Sequence, residues 1–569
     1  MSLLGKRWQI YEQKNELCGK IAKEFDISPL TAQVLLNRGV NTSEGIKKFL
    51  DPRLSYLSDP MELPDISKAA KRIFLAKERG EKVLVYGDYD VDGVTGTVIL
   101  LHTLNLIGIK ASYYIPHRYN EGYGMNEGAV REIKTKAADL IITVDCGISN
   151  ANEIDLANSL DMDVIVTDHH NVPKKLPKAL ALVNPKLQKG DHPSKELSGA
   201  GVAFKFAWGL LRLAGVNDSE MLIDMLDLVG LGTIADVVPL VDENRILAVQ
   251  GLNLLNQRKR IGIKQLSKAA GLYGKIKTRQ VNFMLSPRIN AAGRLEHARH
   301  SVELLLQENE ESAKDLAEKL SEINSERQNI GGRIAGEAYE KIEKDNLGDS
   351  KLIFISGRDW HPGVIGIVAS QIADKFYRPT ILVGENDNEA RGSARSIDGF
   401  DIFKFLEKEG DLYNNFGGHK AAAGFSIDPK KISLLKDRLL KSVEGFVPPY
   451  DLTPKVIIDA LISPNDITMG FVQELESLSP HGPANPLPVF LTRDVKLTDF
   501  RTVGSKDSHL KLKFSLNGTI IDSIGFGLGS LSEKLVSGRN YDIAYSLGTN
   551  VWNGFESAEL SLVDIQENG

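Results

Sequence analysis

The chain has 569 residues, of which 42% are hydrophobic and 25% charged, and its formal net charge is -6. This composition is that of a globular protein of three or four domains, and it excludes a disordered chain. Because the net charge is negative, any binding of nucleic acid has to come from local basic patches.

The cysteines and the apolar runs indicate the compartment. Cys18 and Cys146 are the only cysteines, too few and too far apart for a disulfide framework or a zinc cluster. The charged start of the chain lacks an apolar core, so we expect no signal peptide. Since no apolar run approaches the length of a membrane span, we expect a cytoplasmic protein that enters no membrane.

The chain begins with a polar helical segment over residues 1–75, to which we assign a packing role. From residue 76 the pattern becomes β-α-β, with strand candidates at 82–86, 111–115, 140–144, 164–167 and 180–183. Amphipathic helical stretches separate these strands, which is typical of a parallel, doubly wound sheet. We therefore predict an α/β catalytic domain over residues 76–300.

An acidic turn follows the first of these strands. Asp88, Asp90 and Asp92 occupy every second position after the apolar run, and Gly93 follows them. They would lie at the carboxyl end of a strand, where open α/β sheets keep their active sites. Three clustered carboxylates repel one another unless a cation neutralises them, although a solvated acidic turn is the alternative interpretation.

Three more apolar runs lead to acids or histidines. Run 140–144 leads to Asp145, run 164–167 to Asp168-His169-His170, and run 228–235 to Asp236. We expect all of them to meet at one edge of the sheet. The resulting donor set of four carboxylates and one imidazole suits Mn²⁺ or Mg²⁺ and is large enough for two ions: Asp88, Asp90, Asp145, His169 and Asp236.

Two stretches of this domain are candidates for contacts with nucleic acid. The loop with Arg118 and Tyr123 can stack a base and hold a phosphate, or it is a plain surface loop. Arg288 and Arg294 flank Asn290, and paired arginines make forked contacts to phosphate oxygens. Surface salt bridges are the alternative for this pair.

Residues 301–345 have a helical apolar period, which predicts a connecting helix; a coiled-coil dimer is the alternative. A second α/β unit follows over residues 346–446. It contains three glycine-rich stretches that we interpret as loops able to cradle an anion, with a plain tight turn as the alternative for any one of them. Their polar and glycine residues are His361 in the first, Arg391, Ser393 and Arg395 in the second, and Gly418 and His419 in the third.

The pattern changes to a period of two in the last segment, residues 447–569. Leu510, Leu512 and Phe514 alternate with Lys511 and Lys513, and Asn517-Gly518 predicts a hairpin turn. Several short strands in about 100 residues indicate a small barrel of the OB type. Its lysines could contact a single strand, or they belong to a solvated sheet face.

The motifs resemble those of the DHH phosphoesterase superfamily and, within it, the bacterial 5′→3′ exonucleases specific for single-stranded DNA. The resemblance covers nearly the whole chain in order, and the residues that carry it are Asp88-Tyr89-Asp90-Val91-Asp92-Gly93, Val144-Asp145-Cys146-Gly147, Asp168-His169-His170, Gly232-Thr233-Ile234-Ala235-Asp236 and Pro287-Arg288-Ile289-Asn290-Ala291-Ala292-Gly293-Arg294-Leu295.

The resemblance implies roles for several residues. Asp88, Asp90, Asp145, His169 and Asp236 would bind the metal ions, while Asp168 and His170 would support them or contact phosphate. Residues 346–446 would be a DHHA1 domain in which Ser393 and Arg395, with Arg118, hold the 5′ phosphate and His419 lies at the scissile region. The OB domain would clamp DNA.

The function implied is metal-dependent hydrolysis of single-stranded DNA to 5′-mononucleotides, in recombination and repair. Implied partners are 5′-phosphorylated single-stranded DNA, single-strand binding protein and a RecQ-type helicase, with the enzyme a monomer. An oligoribonuclease or nucleotide phosphatase of the same superfamily is one alternative. A non-catalytic scaffold that binds single-stranded DNA is another, although it should have lost metal ligands.

Overall fold

The computed structural model describes residues 2–118, 121–216, 219–446, 452–516, 518–552 and 555–568. The chain divides into two compact units. One comprises Leu57–Val238 and Ile246–Leu452, and the other comprises Met1–Tyr56, Pro239–Arg245 and Thr453–Gly569. The backbone therefore passes from one unit to the other four times. Within the described part of the chain, no helix combines the length and apolar character needed to span a membrane.

The first sheet is parallel, as predicted, and has five strands in the order β2-β1-β3-β4-β5. Every residue of the strands Val83–Gly87 and Leu140–Val144 is buried, which explains their unbroken apolar runs. The strands are β1 (Val83–Gly87), β2 (Ser112–Tyr114), β3 (Leu140–Val144), β4 (Asp163–Thr167) and β5 (Ala181–Val183). The α-helices of at least six residues in this part of the chain are Ile66–Arg79, Val91–Leu106, Glu127–Thr135, Ala151–Ser159, Gly199–Leu213, Ser219–Asp224, Leu226–Ala235, Asp242–Gln257, Ile261–Ala269, Ser286–Leu295 and Arg299–Leu306.

The register of this sheet brings three strand ends to one level. Gly87 lies opposite Val144, and Val144 lies opposite Thr167. The residues that follow, Asp88, Asp145 and Asp168, therefore leave the sheet at the same edge. This is the arrangement that the apolar runs predicted for these three segments.

The fourth apolar run behaves differently, because it forms a helix and not a strand of the sheet. Leu226–Ala235 is a helix, and Asp236 follows its last turn. Nine of its ten residues are buried, so its sequence lacks the polar face that marks an amphipathic helix. Gly230 allows close helix packing, because a Cβ there would lie 2.7 Å from the Cα of Gly251.

A long helix, Glu310–Lys344, contains 35 residues and is about 52 Å long at 1.5 Å per residue. It is shorter than predicted. Residues 299–306 form a separate helix, and Asn309 caps the start of the long one by accepting a hydrogen bond from the amide of Ser312 at 2.9 Å. Its buried positions are mostly small or aliphatic: Ala313, Ala317, Leu320, Ile323, Asn324, Ile334, Ala338 and Ile342.

The second sheet has five strands in the order β9-β10-β8-β7-β6, of which only β6 and β7 pair in parallel. The strands are β6 (Ile353–Arg358), β7 (Thr380–Glu385), β8 (Ala390–Arg395), β9 (Tyr413–His419) and β10 (Ala422–Ile427). The helices of this domain are Pro362–Phe376, Ile402–Glu407 and Ile432–Phe446.

Two of the three predicted glycine-rich loops are strands of this sheet, β8 and β9, so their assignment as loops was wrong. Glycine is needed in β8 for packing, because a Cβ on Gly392 would overlap the ring of Phe425 on the neighbouring strand. β8 alternates buried Ala or Gly with partly exposed Arg or Ser, and β9 is mostly exposed, so neither strand has the alternating large apolar side chains that mark a strand in a sequence.

The other unit contains a closed barrel of five strands, as predicted for an OB-type domain. Its order is β11-β12-β13-β15-β14, and β14 pairs again with β11. The strands are β11 (Phe490–Val503), β12 (His509–Leu516), β13 (Thr519–Gly525), β14 (Asn540–Trp552) and β15 (Phe555–Glu567). Asn517 of the predicted hairpin turn lies outside the described residues.

The N-terminal segment belongs to the same unit as the barrel. The strand Arg7–Ile10 pairs in parallel with Lys455–Ile458, and the helices Asn15–Phe25, Pro29–Asn37 and Ser43–Leu50 share a core with the barrel and the helix Met469–Ser477. Residues 239–245 also belong here. Arg245 is buried and donates hydrogen bonds to the carbonyls of Phe49, Ser477 and Leu478.

Candidate metal centre and nucleic-acid cleft

The turn after β1 brings two carboxylates together. Asp90 caps the helix Val91–Leu106, and its Oδ1 accepts hydrogen bonds from the amides of Asp92 at 2.9 Å and Gly93 at 3.1 Å. A Cβ on Gly93 would lie 2.7 Å from the Cβ of Asp88, so the turn requires glycine. Ligand atoms of Asp88, Asp90 and Asp145 all lie within 4.8 Å of one another.

His169 connects the remaining predicted ligands. Its Nε2 is 3.1 Å from Oδ1 of Asp145 and 3.5 Å from Oδ2 of Asp236. The helix Leu226–Ala235 therefore brings Asp236 to the sheet edge by a different route from the one that the sequence indicated. The fold gathers all five predicted ligands into one cluster.

The cluster has the properties of a site for divalent cations. Four buried atoms in it have no hydrogen-bond partner within the described residues: Oδ1 of Asp88, Oδ1 of Asp145, Nε2 of His169 and Oδ2 of Asp236. Buried polar atoms of native proteins are almost always paired. Carboxylate oxygens with one imidazole nitrogen are donors that suit Mn²⁺ or Mg²⁺. The residues of the cluster therefore fit either ion.

The electrostatics of the cluster agree with this assignment. Burial, together with repulsion from neighbouring aspartates, raises the pKa of Asp88 and of Asp145 well above the usual range. Burial and the charge of Asp90 raise the pKa of Asp236 to about 7. Burial and the proximity of His170 lower the pKa of His169 to about 3, which leaves a neutral imidazole able to ligate a cation.

These shifts predict how the stability of the metal-free protein depends on pH. Since the folded-state pKa of Asp236 is raised, the folded state binds this proton more tightly than the unfolded state, and stability falls as pH rises between about 4 and 7. Asp236→Asn should therefore raise the melting temperature of the metal-free protein at about pH 8 and much less at about pH 5.

Thermal unfolding with a chelator, read by circular dichroism, measures this effect. The exposed Asp398 provides a matched control, because Asp398→Asn removes a carboxylate outside the cluster. Addition of Mn²⁺ at neutral pH should raise the melting temperature of the wild-type protein more than that of Asp236→Asn. If the melting temperatures of wild type and Asp236→Asn depended on pH in the same way, the raised pKa of Asp236 would be contradicted.

Asp168 and His170 form a pair beside the cluster. Oδ1 of Asp168 accepts hydrogen bonds from Nδ1 of His170 at 2.7 Å and from its amide at 3.0 Å, and Oδ2 accepts one from the amide of Ile148 at 3.0 Å. Burial disfavours the charged carboxylate, but these hydrogen bonds outweigh it and lower the pKa of Asp168. The same pairing outweighs burial at His170 and raises the pKa of its imidazole.

Tyr123 contacts this pair. Its hydroxyl donates to the carbonyl of Asp145 at 3.0 Å, and its ring lies edge-on to that of His170 with centroids 5.5 Å apart. The side chain is half exposed, so its ring is also open to a ligand. The loop that the sequence indicated for nucleic-acid contacts therefore reaches the metal cluster.

Asp92 has a role that the sequence analysis missed. Its carboxylate accepts hydrogen bonds from the amides of Gly199 and Ala200 at the start of the helix Gly199–Leu213, which complements the positive end of the helix dipole. One of its oxygens is 4.0 Å from Nε2 of His169. Asp92 thus fixes the helix against the cluster, a contact over 107 residues that no local pattern could indicate.

A cavity of about 690 Å³ lies beside Tyr123, between the two sheet domains of this unit. Its lining combines arginines with glycines and phenylalanines, and includes Arg118, Arg294, Arg391, Ser393, Phe416 and Phe425. The guanidinium of Arg118 stacks on the ring of Tyr89 at 4.8 Å. Burial and the neighbouring arginines lower the pKa of Arg294 to about 9, which marks a concentration of positive charge.

Of the residues predicted in the second domain, Arg391 and Ser393 line this cavity, whereas Arg395, Gly418 and His419 are not part of its lining. Arg395 donates to Oγ of Ser393 and of Ser370, each at 3.0 Å, so the pair forms a fixed unit. Arg391 also hydrogen-bonds Glu389 at 2.9 Å. Gly418 has a φ of 151°, and a Cβ there would meet the carbonyl of Ala422 at 2.5 Å. His419, at the end of β9, is exposed.

Three other residues that were candidates for phosphate contacts are bound to protein groups. Arg288 donates to Oγ of Ser321 at 3.0 Å and to the carbonyl of Met284 at 2.7 Å. Asn290 accepts a hydrogen bond from the amide of Val91 at 3.1 Å, which fixes the acidic turn. His361 accepts one from the amide of Gly363 at 3.1 Å and caps the helix Pro362–Phe376.

Lys511 and Lys513 lie on the outer face of β12, as the period of two predicted. Arg501 lies opposite Lys511 on β11, whereas Asp499 and Asp522 lie opposite Lys513 on the two neighbouring strands. These five residues line a shallow cavity of about 210 Å³. The charge of this face is therefore mixed, with three cations and two acids.

Comparison with known proteins identifies three domains. Residues 82–233 match the DHH family, N-terminal domain; residues 349–445 match the DHHA1 domain; and residues 458–564 match the RecJ OB domain. The single-stranded-DNA-specific exonuclease RecJ of Bacillus subtilis is 39% identical over 98% of this chain and 70% of its own length. The enzyme of the same name from Escherichia coli is 34% identical over 98% of this chain and 99% of its own length.

Solved structures agree with these matches. RecJ from Thermus thermophilus in complex with Mn²⁺ has a TM-score of 0.85 and 32% identity, and the match covers 99% of this chain and 80% of that one. RecJ from the same organism in complex with Mg²⁺ has a TM-score of 0.78 and 30% identity, with coverage of 99% and 79%.

Proposed function

The chain belongs to the RecJ family of single-stranded-DNA-specific exonucleases, and on that premise we propose that it removes 5′-mononucleotides from the 5′ end of single-stranded DNA. The enzyme requires Mn²⁺ or Mg²⁺ and acts in DNA recombination and repair. The observation that carries this proposal is the convergence of unpaired carboxylate and imidazole atoms at one edge of the parallel sheet.

Asp88, Asp90, Asp145, His169 and Asp236 would hold two divalent ions. When bound, these ions supply the Lewis acidity for in-line attack of water at phosphorus. His170 is better suited to phosphate than to metal, because its Nδ1 is bound to Asp168 and its raised pKa favours the protonated ring. A protonated His170 would donate a hydrogen bond to a non-bridging oxygen of the scissile phosphate.

The 5′ phosphate would bind in the arginine-lined cavity. Arg118, Arg294 and Arg391 present guanidinium groups there, and Arg395 holds Ser393 in a fixed orientation. Tyr123 lines this cavity and also contacts the metal cluster, so a terminal phosphate in the cavity and a scissile phosphate at the ions belong to one continuous path. Such a path registers the strand from its 5′ end.

Digestion of single strands labelled at either end tests the polarity. We expect a strand with a blocked 5′ end to resist digestion in Mn²⁺, whereas a block at the 3′ end should have no effect on the first nucleotides released. Duplex DNA of the same sequence should be cut much more slowly. Faster digestion from the 3′ end would overturn the assignment of the cavity.

We extend the proposal to domain roles and context. The domains would be an N-terminal helical segment (residues 1–75), a DHH catalytic domain (76–300), a connecting helix (301–345), a DHHA1 substrate-binding domain (346–446) and an OB domain (447–569) that contacts DNA through Lys511 and Lys513. By analogy with the family, the enzyme would act as a cytoplasmic monomer together with single-strand binding protein and a RecQ-type helicase.

A further inference from the structure

One stretch of the catalytic unit differs in charge from the rest of this acidic protein. Residues 246–295 contain ten Lys or Arg and no Asp or Glu. At the average density of the chain, with 75 acidic residues in 569, these 50 residues would hold about seven acids. A local excess of this size attracts polyanions even when the net charge of the protein is negative.

Part of this charge is neutralised or buried, and part is exposed. Arg260 pairs with Asp227 at 2.9 Å, Lys264 pairs with Glu310 at 2.9 Å, and Arg294 lines the cavity. By contrast, Lys259, Lys275 and Arg279 are exposed and make no ion pair within the described part of the chain. Their positive charge therefore faces solvent.

The same stretch exposes two large aromatic rings. Tyr273 is 83% exposed and Phe283 is 73% exposed, which places them among the three most exposed large hydrophobic side chains of the described residues. Aromatic rings interleaved with cations form the surface on which single strands stack their bases.

The backbone that carries Tyr273 and Lys275 is held in place. The side-chain amide of Asn256 donates to the carbonyl of Ile276 at 2.9 Å and accepts from its amide at 2.7 Å. Arg258 donates to the carbonyl of Gly274. Ile276 is buried, so the loop is anchored through its centre while its outer side chains remain in solvent.

Phe283 is presented by a short π-helical segment, Val281–Leu285, whose end residues are both fully buried. This segment continues directly into the helix Ser286–Leu295, which carries Asn290 against the acidic turn and Arg294 at the cavity. The basic, aromatic stretch is thus continuous in the chain with the residues beside the metal cluster.

We propose that residues 258–283 form a surface that binds the part of the single strand lying 3′ of the scissile phosphate, with Tyr273 and Phe283 stacking bases and Lys259, Lys275 and Arg279 contacting phosphates. This proposal rests on the proposed function of the metal cluster. The surface would retain a long strand between successive cleavages, and a strand too short to reach it would lose this contact.

The test compares two lengths of 5′-phosphorylated oligothymidylate, about 6 and about 40 nucleotides, digested in Mn²⁺. For the double variant Tyr273→Ala and Phe283→Ala, kcat/KM on the long strand should fall about tenfold, mainly through KM, and several-fold less on the short one. The aromatic double variant Tyr273→Phe and Phe283→Tyr should keep the wild-type length dependence.

The cations are tested separately. The measurement is KM on the long strand as a function of salt concentration. For the triple variant Lys259→Gln, Lys275→Gln and Arg279→Gln, the slope of log KM against log salt concentration should be smaller by about two than for wild type. The matched control is Lys404→Gln, Lys430→Gln and Lys441→Gln, which removes three exposed positive charges from the second domain and should behave as wild type. Melting temperatures of all variants, measured alongside, identify any loss of folding.

The outcomes separate the two proposals. If kcat/KM fell equally on short and long strands, or if the dependence of KM on salt were unchanged, the proposed binding surface would be wrong and the proposed exonuclease activity would stand. A wild-type enzyme that releases no nucleotide from either strand would instead overturn the proposed function. A tenfold loss confined to the long strand would support both.

Discussion

Asp145→Asn should lower Mn²⁺-dependent release of nucleotides from single-stranded DNA by about a thousandfold or more. Asp145 belongs to two of the three groups of possible metal ligands, and its unpaired Oδ1 lies 3.1 Å from Nε2 of His169. Loss of its charge should therefore weaken both ion positions together. Asparagine also tolerates the left-handed backbone at this position, where φ is 61°.

Two measurements accompany the rate of Asp145→Asn. The increase in melting temperature that Mn²⁺ gives the wild-type protein should be much smaller in the variant, while the circular dichroism spectrum should be unchanged. Asp139→Asn is the matched control. Asp139 lies just before the start of the strand that Asp145 follows, and an asparagine there keeps an oxygen that can accept the hydrogen bond from the amide of Lys82. Near-normal turnover by Asp145→Asn would refute the metal assignment.

Arg118→Ala should lower kcat/KM on 5′-phosphorylated single strands by about a hundredfold. Its guanidinium lines the arginine-rich cavity and is held over the ring of Tyr89, so it is oriented before a phosphate arrives. On a strand with a 5′ hydroxyl, which lacks the terminal phosphate, the loss should be only about threefold.

The comparison of 5′-phosphate and 5′-hydroxyl strands identifies the contact. Arg118→Lys should recover part of the preference for a 5′-phosphate strand over a 5′-hydroxyl strand, because lysine restores the charge but not the forked geometry. Arg131→Ala is a suitable control, since Arg131 is an exposed arginine of the same domain that pairs only weakly with Glu127 at 3.9 Å. If Arg118→Ala lowered kcat/KM by a similar factor on both kinds of strand, Arg118 would contact an internal phosphate and not the 5′ phosphate.

The parts of the site that were predicted from sequence are those that depend on one strand and its end. The run from Val83 to Gly93 specifies a buried strand, an acidic turn and a helix cap within a few residues, so the pattern is local. Asp88 and Asp145 then meet because parallel strands in register end together. Such positions follow from the order of the strands and their apolar runs.

The parts that were not predicted depend on contacts distant in sequence. Asp236 reaches the cluster on a buried helix, and a helix with no polar face cannot be distinguished from a buried strand by its period. Asn290 and Arg288 have the residue types that contact phosphate, yet their partners are Val91 and Ser321, in other elements. Only the three-dimensional arrangement shows that both side chains already hydrogen-bond to protein groups.

The fourfold passage of the backbone between the two units limits what deletion experiments can reveal. Excising the barrel at Thr453 would also remove the carbonyls of Ser477 and Leu478, which are acceptors for the buried Arg245. The segment that contains Arg245 begins only three residues after Asp236. If a truncated chain loses activity, displacement of the proposed metal ligand Asp236 would explain the loss as well as a missing contact between the barrel and DNA. Point substitutions on the barrel surface are the sounder way to measure its contribution.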